Sequence, residues 1–333
     1  MMRWIKRAVS AFLLASLVWM ITTREGLTNL GPRILELNPL FLLLALALPW
    51  AALSSGVLRW KTLLRLEGIH LPFRWLLRSF LRGRFVGAFT PSTTGLDLYR
   101  LVDVAKDHSK AASGRVILVE KLYGLVALSM VTLMLLPLGV ARFFGTAGLL
   151  MAAALGAVSV AGLFVLERPA LLRRLPFSKA QKLADALGAS RPSLGQRAEL
   201  MTLGVVSHMA TALVFVGTGL ALGVEATPLE LAIVGNAIVL ATLLPVSVGG
   251  FGVREATAVA LLGTVGVSTS DALLVGLLGY LVAQPPALVG GALIAARRTT
   301  AEAPAARPAP QEMLHPGPMA ADTTFAGSPA PAP

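Results

Sequence analysis

The chain has 333 residues, of which 55% are hydrophobic and only 14% charged, and its mean hydropathy is +0.74. Soluble domains carry about 25% charged residues, so this deficit and the long apolar runs exclude a water-soluble globule and predict an all-α, polytopic integral membrane protein. No cysteine is present, which excludes disulfides, thiolate nucleophiles and cysteine metal sites. The net charge of +12 reads as topology signal rather than as a nucleic-acid footprint, because the basic residues fall in loops between apolar runs.

In chain order, the basic start "MMRWIKR" leads into an apolar stretch at residues 8–23. It is short, but "SLVWMITTR" places bulky residues where a signal peptidase needs small ones, so it reads as an uncleaved first helix. Five longer runs follow at 38–57, 116–140, 143–166, 200–224 and 272–296. Each is long enough to cross about 30 Å of hydrocarbon at ~1.5 Å per residue. Asn38-Pro39 supplies an N-cap with proline at the first helical position, and Thr227-Pro228-Leu229-Glu230 reads as a capping box.

Two segments do not fit as crossings. Residues 84–100, "RFVGAFTPSTTGLDLYR", are interrupted by Pro91 and Gly95. Residues 231–266 hold two apolar arms, 231–244 and 256–266, each too short for an ordinary span. Between them lies "LLPVSVGGFGVREA", with Pro245, Gly249, Gly250 and Gly252 as backbone breaks. Both segments read as re-entrant broken helices, the second equally as a pair of short crossings; about six full crossings remain.

Lys and Arg concentrate at the N terminus, in 59–84, 100–115 and 168–197 and after 296, while the opposite loops hold only Arg24, Arg33 and Arg142. The positive-inside rule then puts both termini in the cytoplasm. Residues 1–298 form the membrane domain; 299–333, rich in Ala and Pro without an apolar period, read as a disordered cytoplasmic tail.

Each half of the membrane domain reads helix, helix, broken segment, helix, with an odd number of crossings per half. The breaks also match in sequence: Pro91 to Gly95 followed by Asp97 and Arg100, and Pro245 to Gly249 followed by Arg254 and Glu255. Inverted repeats with broken helices at matching positions hold substrate where the broken ends meet.

Charges deep in a bilayer cost at least about 2.5–3.5 kcal/mol each, which makes Arg254, Glu255, Arg100, Asp97 and Glu120 the candidate substrate-binding residues. A helix restarting near Val253 aims free N–H groups at the break, and Arg254 adds a full charge, a setting for a phosphate. Against this stand blander readings. Arg254–Glu255 and Asp97–Arg100 can be read as local ion pairs, and Glu120 with Lys121 as residues snorkelling to the interface. Glu120 and Lys121, being neighbours, are expected to serve separate roles.

The basic stretch "RWKTLLRLEGIHLPFRWLLRSFLRGR", interleaved with Trp60, Phe73, Trp75 and Phe80, reads as an interfacial elbow holding anionic lipid, and Arg173, Arg174, Lys179 and Lys182 read similarly. His70, His108, His208 and His315 lack metal-ligand spacing, and Ser113 has no histidine placed to activate it. No cofactor, metal or enzymatic activity is expected.

"LLPVSVGGFGVREA", "VEKLYGLVAL" and "TPSTTGLDLYR" resemble elements of the flippase-like membrane domain named from lysylphosphatidylglycerol synthases. In the third, Leu96 intervenes and Asp97 supplies the acid where the family carries a glutamate directly after the glycine. The resemblance covers residues 1–298 and implies movement of anionic or carrier lipids between leaflets, with Arg100, Glu120, Arg254 and Glu255 at matching positions. The aminoacyl-transferase domain of bifunctional members has no counterpart here, so lipid aminoacylation is not expected.

The expected function is a lipid flippase of the cytoplasmic (inner) membrane. Alternatives are a carrier of polyprenyl-linked or hopanoid-type precursors, a non-transporting scaffold in lipid biosynthesis, and, last, an intramembrane enzyme. Expected partners are membrane lipids with anionic head groups, together with lipid-biosynthesis enzymes or a second copy of the chain; Gly219-x-x-x-Gly223 is a candidate helix-contact motif.

Overall fold

The computed structural model describes residues 36–90, 94–143, 145, 147–189, 192–243 and 250–302. The expected first helix at 8–23, the tail beyond Glu302, and Pro91, Pro245 and Gly249 lie outside these. The described residues are helical throughout: α1 (Pro39–Leu66), α2 (Phe73–Ala88), α3 (Thr94–Val104), α4 (Lys110–Phe143), α5 (Ala147–Glu167), a 3₁₀ segment (Pro169–Arg174), α6 (Ser178–Ala189), α7 (Leu194–Ala221), α8 (Pro228–Leu243), α9 (Val253–Thr264), α10 (Thr269–Val282) and α11 (Pro285–Glu302). By internal contacts the chain divides into one unit up to Ala295 and a second from Ala296; the site described below lies in the first.

Four stretches among the described residues are long and apolar enough to cross a membrane: Pro39–Leu66, Lys110–Leu135, Leu194–Ala221 and Thr269–Ala296. Their outward faces carry exposed leucines, Leu40 at 61% and Leu43 at 65%, a surface that only lipid or a partner protein would tolerate. The chain is a multi-pass membrane protein.

The cap signals act as the sequence predicts. The Asn38 side chain accepts the Leu40 N–H at 3.0 Å, starting α1. At the start of α8, Thr227 and Glu230 exchange side chain for backbone, at 2.7 and 3.2 Å. Two boundaries differ from expectation. First, α1 runs on to Leu66, so Arg59 and Trp60 belong to its helix and not to an elbow. Second, the predicted run 272–296 is broken at Ala283–Gln284. Pro285 and Pro286 have no N–H to donate to the preceding turn. The Ala287 N–H donates to Gln284 O at 2.8 Å rather than to Ala283 O, and Arg84 Nη2 donates to the Ala283 carbonyl so freed at 3.3 Å.

Both predicted breaks are hairpins. α2 packs on α3 across residues 89–93, and α8 on α9 across 244–252. Each hairpin has its own core: Trp60, Leu76, Phe80 and Val116 in the first half, Leu231, Ile238, Leu262 and Val275 in the second. α1 and α7 run antiparallel between them. The Asn38 N–H donates to Ala221 O at 2.9 Å, the Ser207 hydroxyl to Ala52 O at 3.2 Å, and Thr62 Oγ1 to Glu199 Oε1 at 2.9 Å. At Gly217 the backbones nearly touch, since an added Cβ would lie 2.8 Å from Ala45 Cβ. Packing elsewhere is paired: α1 on α4 matches α7 on α10, and α3 on α4 matches α9 on α10.

Gly219 is not part of an exposed contact motif. It is buried against Leu231, where an added Cβ would sit 2.6 Å away, and Gly223 takes φ +65° beyond the end of α7. Of the predicted Gly219-x-x-x-Gly223 pair, Gly219 is used inside the molecule, while Gly223 is exposed.

Candidate functional site

Three of the five candidate residues converge although they come from different helices. Arg100 on α3 donates through Nη1 to Glu120 Oε2 on α4 and through Nη2 to Asp97 Oδ1, each at 2.8 Å. Its guanidinium carbon lies 4.6 Å from the Phe80 ring centroid and 5.1 Å from that of Trp60. Stacking of this kind suits a guanidinium cut off from water. Arg100 is 3% exposed and Glu120 4%, so neither meets solvent. The aromatic residues assigned to an interfacial elbow thus include two, Trp60 and Phe80, that are buried as the floor of this ion pair.

The cluster extends in two directions. Lys121 Nζ reaches Asp97 Oδ2 at 2.7 Å, and Arg59 Nη2 donates to Glu120 Oε1 at 3.5 Å. Glu120 and Lys121, expected to act separately, therefore join one chain, because Asp97 and Arg100 sit one turn apart on α3 and meet both. Burial of so many charges is tolerable only with partners in good geometry, and here each carboxylate has two cations.

The second break is built differently. Gly250 (φ +78°) and Gly252 (φ +80°) occupy the left-handed region that glycine alone enters cheaply. A Cβ on Gly250 would also fall 2.9 Å from Arg254 Nη2, so the missing side chain makes room for the guanidinium. Glu255, 1% exposed, accepts the Gly252 N–H at 2.7 Å and so caps α9. Its distance to Arg254 Nη1 is 4.0 Å, a loose pair compared with Arg100–Glu120. The Arg254 guanidinium lies 4.5 Å from the Tyr280 ring centroid. Gly95, predicted as a break, stands in the first turn of α3; its N–H donates to Thr90 Oγ1 across the turn at 2.9 Å.

Between the two hairpins and the α1–α7 pair lies a cavity of about 380 Å³. Helical spacing sets its walls: Pro49, Ala52, Gly56 and Arg59 form one stripe of α1, and Ser207, His208 and Thr211 one turn of α7. Arg84 from α2, Arg254 from α9 and Tyr280 from α10 complete the polar lining. Three guanidinium groups face this space, and no carboxylate lines it among the described residues. Arg59 Nε and Nη1 and His208 Nε2 are buried there without a hydrogen-bond partner among the described residues.

Of the predicted site residues, Arg254 lines the cavity; Arg100, Asp97, Glu120 and Glu255 lie behind its wall. Sequence reasoning missed Arg59, Arg84, His208 and Tyr280. A signal existed for Arg59, which falls on the small-residue face of α1 at positions 49, 52, 56 and 59.

A comparison with protein families matches residues 4–290 to the lysylphosphatidylglycerol synthase TM region. No curated protein matches the chain.

Proposed function

Because the chain belongs to the lysylphosphatidylglycerol synthase TM region family, a family of membrane-lipid proteins, we propose that it moves an anionic or carrier lipid between the leaflets of the cytoplasmic membrane. The observation that carries this reading is the cavity lined by Arg59, Arg84 and Arg254 without a carboxylate. A lining whose charged groups are all guanidinium presents a positive surface, which a phosphate complements with charge-assisted hydrogen bonds. In this reading the head group occupies the cavity and is held by bidentate guanidinium contacts, while the acyl or isoprenoid tails remain in lipid.

The antiparallel α1–α7 pair and the matched packing of the two halves support an inverted repeat with six crossings, in which both hairpins are re-entrant. Under the positive-inside rule the α2–α3 hairpin enters from the cytoplasm and the α8–α9 hairpin from outside, with both termini cytoplasmic. The two broken ends then meet near the midplane, where inverted-repeat transporters hold their substrates. Rocking of one half against the other about the α1–α7 contact would open the cavity to each side in turn. No ATP-binding motif occurs in the sequence, so movement is passive or coupled to an ion gradient.

Reconstitution into liposomes with a fluorescent anionic lipid and a membrane-impermeant quencher tests this. The expected result is protein-dependent access of inner-leaflet lipid to the quencher. Absence of movement for every anionic lipid tried, with a lipid-synthesis enzyme co-purifying, supports the scaffold reading instead. Chemical change of the head group supports an enzyme.

A further inference from the structure

Arg59 lines the cavity with most of its hydrogen bonds unmade. A guanidinium donates from all three of its nitrogens, yet among the described residues only Arg59 Nη2 has an acceptor, Glu120 Oε1 at 3.5 Å. That distance lies outside the usual range of about 2.7–3.2 Å for an N–H···O contact. Arg59 Nε and Nη1 are buried without a partner among the described residues, as is Nε2 of His208 on the same lining.

The contact with Glu120 is also one that can be given up cheaply. Glu120 Oε2 accepts from Arg100 Nη1 at 2.8 Å, so the carboxylate keeps its closer cation when Arg59 turns away. Arg100 in turn keeps Asp97 at 2.8 Å. Nothing in this chain is stranded by the loss of Arg59. Glu255, beside Arg254, has a second duty, since its Oε2 accepts the Gly252 N–H and caps α9.

Two glycines leave the Arg59 head room. A Cβ on Gly204 of α7 would come 3.2 Å from Arg59 Nη1, and one on Gly124 of α4 would come 3.7 Å from Nη2. At these two positions the guanidinium lies against backbone, with no side chain to fix it toward Glu120.

A phosphate accepts two parallel N–H bonds from one guanidinium, whereas Glu120 offers Arg59 a single oxygen at long range. We propose that a head-group phosphate takes Arg59 over from Glu120 when a lipid enters the cavity, which makes Glu120 an internal competitor that sets the affinity of the site through Arg59. Glu120 touches no part of the lipid; it is a positioning residue that holds Arg59 in the empty state and releases it in the filled one. Its pull on Arg59 keeps affinity below what the arginines alone would supply, and a site that passes its guest on must bind weakly enough to let it leave. The inference rests on the lipid-transport reading above and adds how the site lets go of its guest.

The test measures binding by full-length protein in nanodiscs of phosphatidylcholine. The probes are short-chain phosphatidylglycerol and farnesyl phosphate, and the denaturation midpoint of each variant is recorded alongside. Glu120→Gln keeps the shape of the side chain and an oxygen for Arg100 but removes the competing charge. It is expected to bind the probes at least about fivefold tighter than the parent. Arg59→Gln is expected to bind them at least about fivefold more weakly. The double variant is expected to match Arg59→Gln, because without the guanidinium Glu120 has nothing to compete for.

Equal tightening by Glu120→Gln with and without Arg59 would mean that the charge acts at long range, and overturns the exchange. An affinity of folded Glu120→Gln equal to or below the parent's overturns it too. Should Glu120→Gln not fold, Glu120→Asp withdraws the carboxylate from Arg59 by one methylene and carries the same expectation. The two readings fail separately: binding by the parent that Glu120→Gln does not tighten overturns the exchange and leaves lipid transport standing, whereas binding of neither probe by any variant overturns both.

Discussion

Replacing Glu120 by leucine is expected to cost about 3–5 kcal/mol of stability, the usual penalty for removing one partner of a buried ion pair. The loss follows from the geometry: among the described residues Glu120 is the carboxylate that Arg59 pairs with, and one of two that hold Arg100. Its removal leaves cationic groups stranded beside Trp60 and Phe80. Denaturation in detergent micelles reads the effect as a lower midpoint. The double variant Arg100→Leu with Glu120→Leu is expected to recover more than half of the loss, because Asp97 keeps Lys121 at 2.7 Å. Equal stability of Glu120→Leu and the parent would mean that the ion-pair chain does not hold α3 to α4.

Arg254→Gln is expected to do the opposite: little change in stability and a large loss of ligand. Its guanidinium faces the cavity, and the helix cap it neighbours depends on Glu255 and Gly252, which the substitution leaves in place. A charge-assisted hydrogen bond to a phosphate contributes about 1.5–3 kcal/mol, so affinity for an anionic lipid should fall roughly ten- to a hundredfold. Glu255→Gln serves as the contrast, since its amide oxygen still accepts the Gly252 N–H and α9 remains capped. The measurement is lipid affinity alongside the denaturation midpoint of each variant. Unchanged affinity in Arg254→Gln would remove Arg254 from the binding site.

The contrast between Glu120 and Arg254 also marks what the sequence makes legible. Caps depend on short-range chemistry, and Asn38, Thr227 and Glu230 announce them directly. That α8 and α9 fold back on each other follows from arms too short to span, whereas the first arm of the other hairpin, α2, begins at Phe73 inside the stretch expected to form an interfacial elbow. Even the convergence of Asp97, Arg100 and Glu120 was foreshadowed by the cost of placing charges in apolar surroundings.

Which charges face a cavity and which face each other is a tertiary matter. Arg59 and Arg84 lie in a stretch with Arg65, Arg74 and Arg78, which are exposed; the small-residue face of α1 marks Arg59, and no comparable local signal marks Arg84. The extension of α1 to Leu66 is what turns Arg59 inward. The break at Gln284 was missed although Pro285-Pro286 stands in plain sight, because the apolar run continues through it and Arg84, remote in sequence, bonds the freed Ala283 carbonyl.

The central claim, that an anionic lipid head group occupies the cavity between the hairpins, is open to one direct measurement. The chain contains no cysteine, so Thr211→Cys places a single thiol on the cavity wall. Its reaction with a negatively charged thiosulfonate reagent can be followed in nanodiscs. The account predicts that the thiol reacts in neutral lipid, that anionic lipid slows the reaction at least about fivefold by occupancy, and that zwitterionic lipid leaves the rate unchanged. Equal rates in neutral and anionic lipid would contradict it.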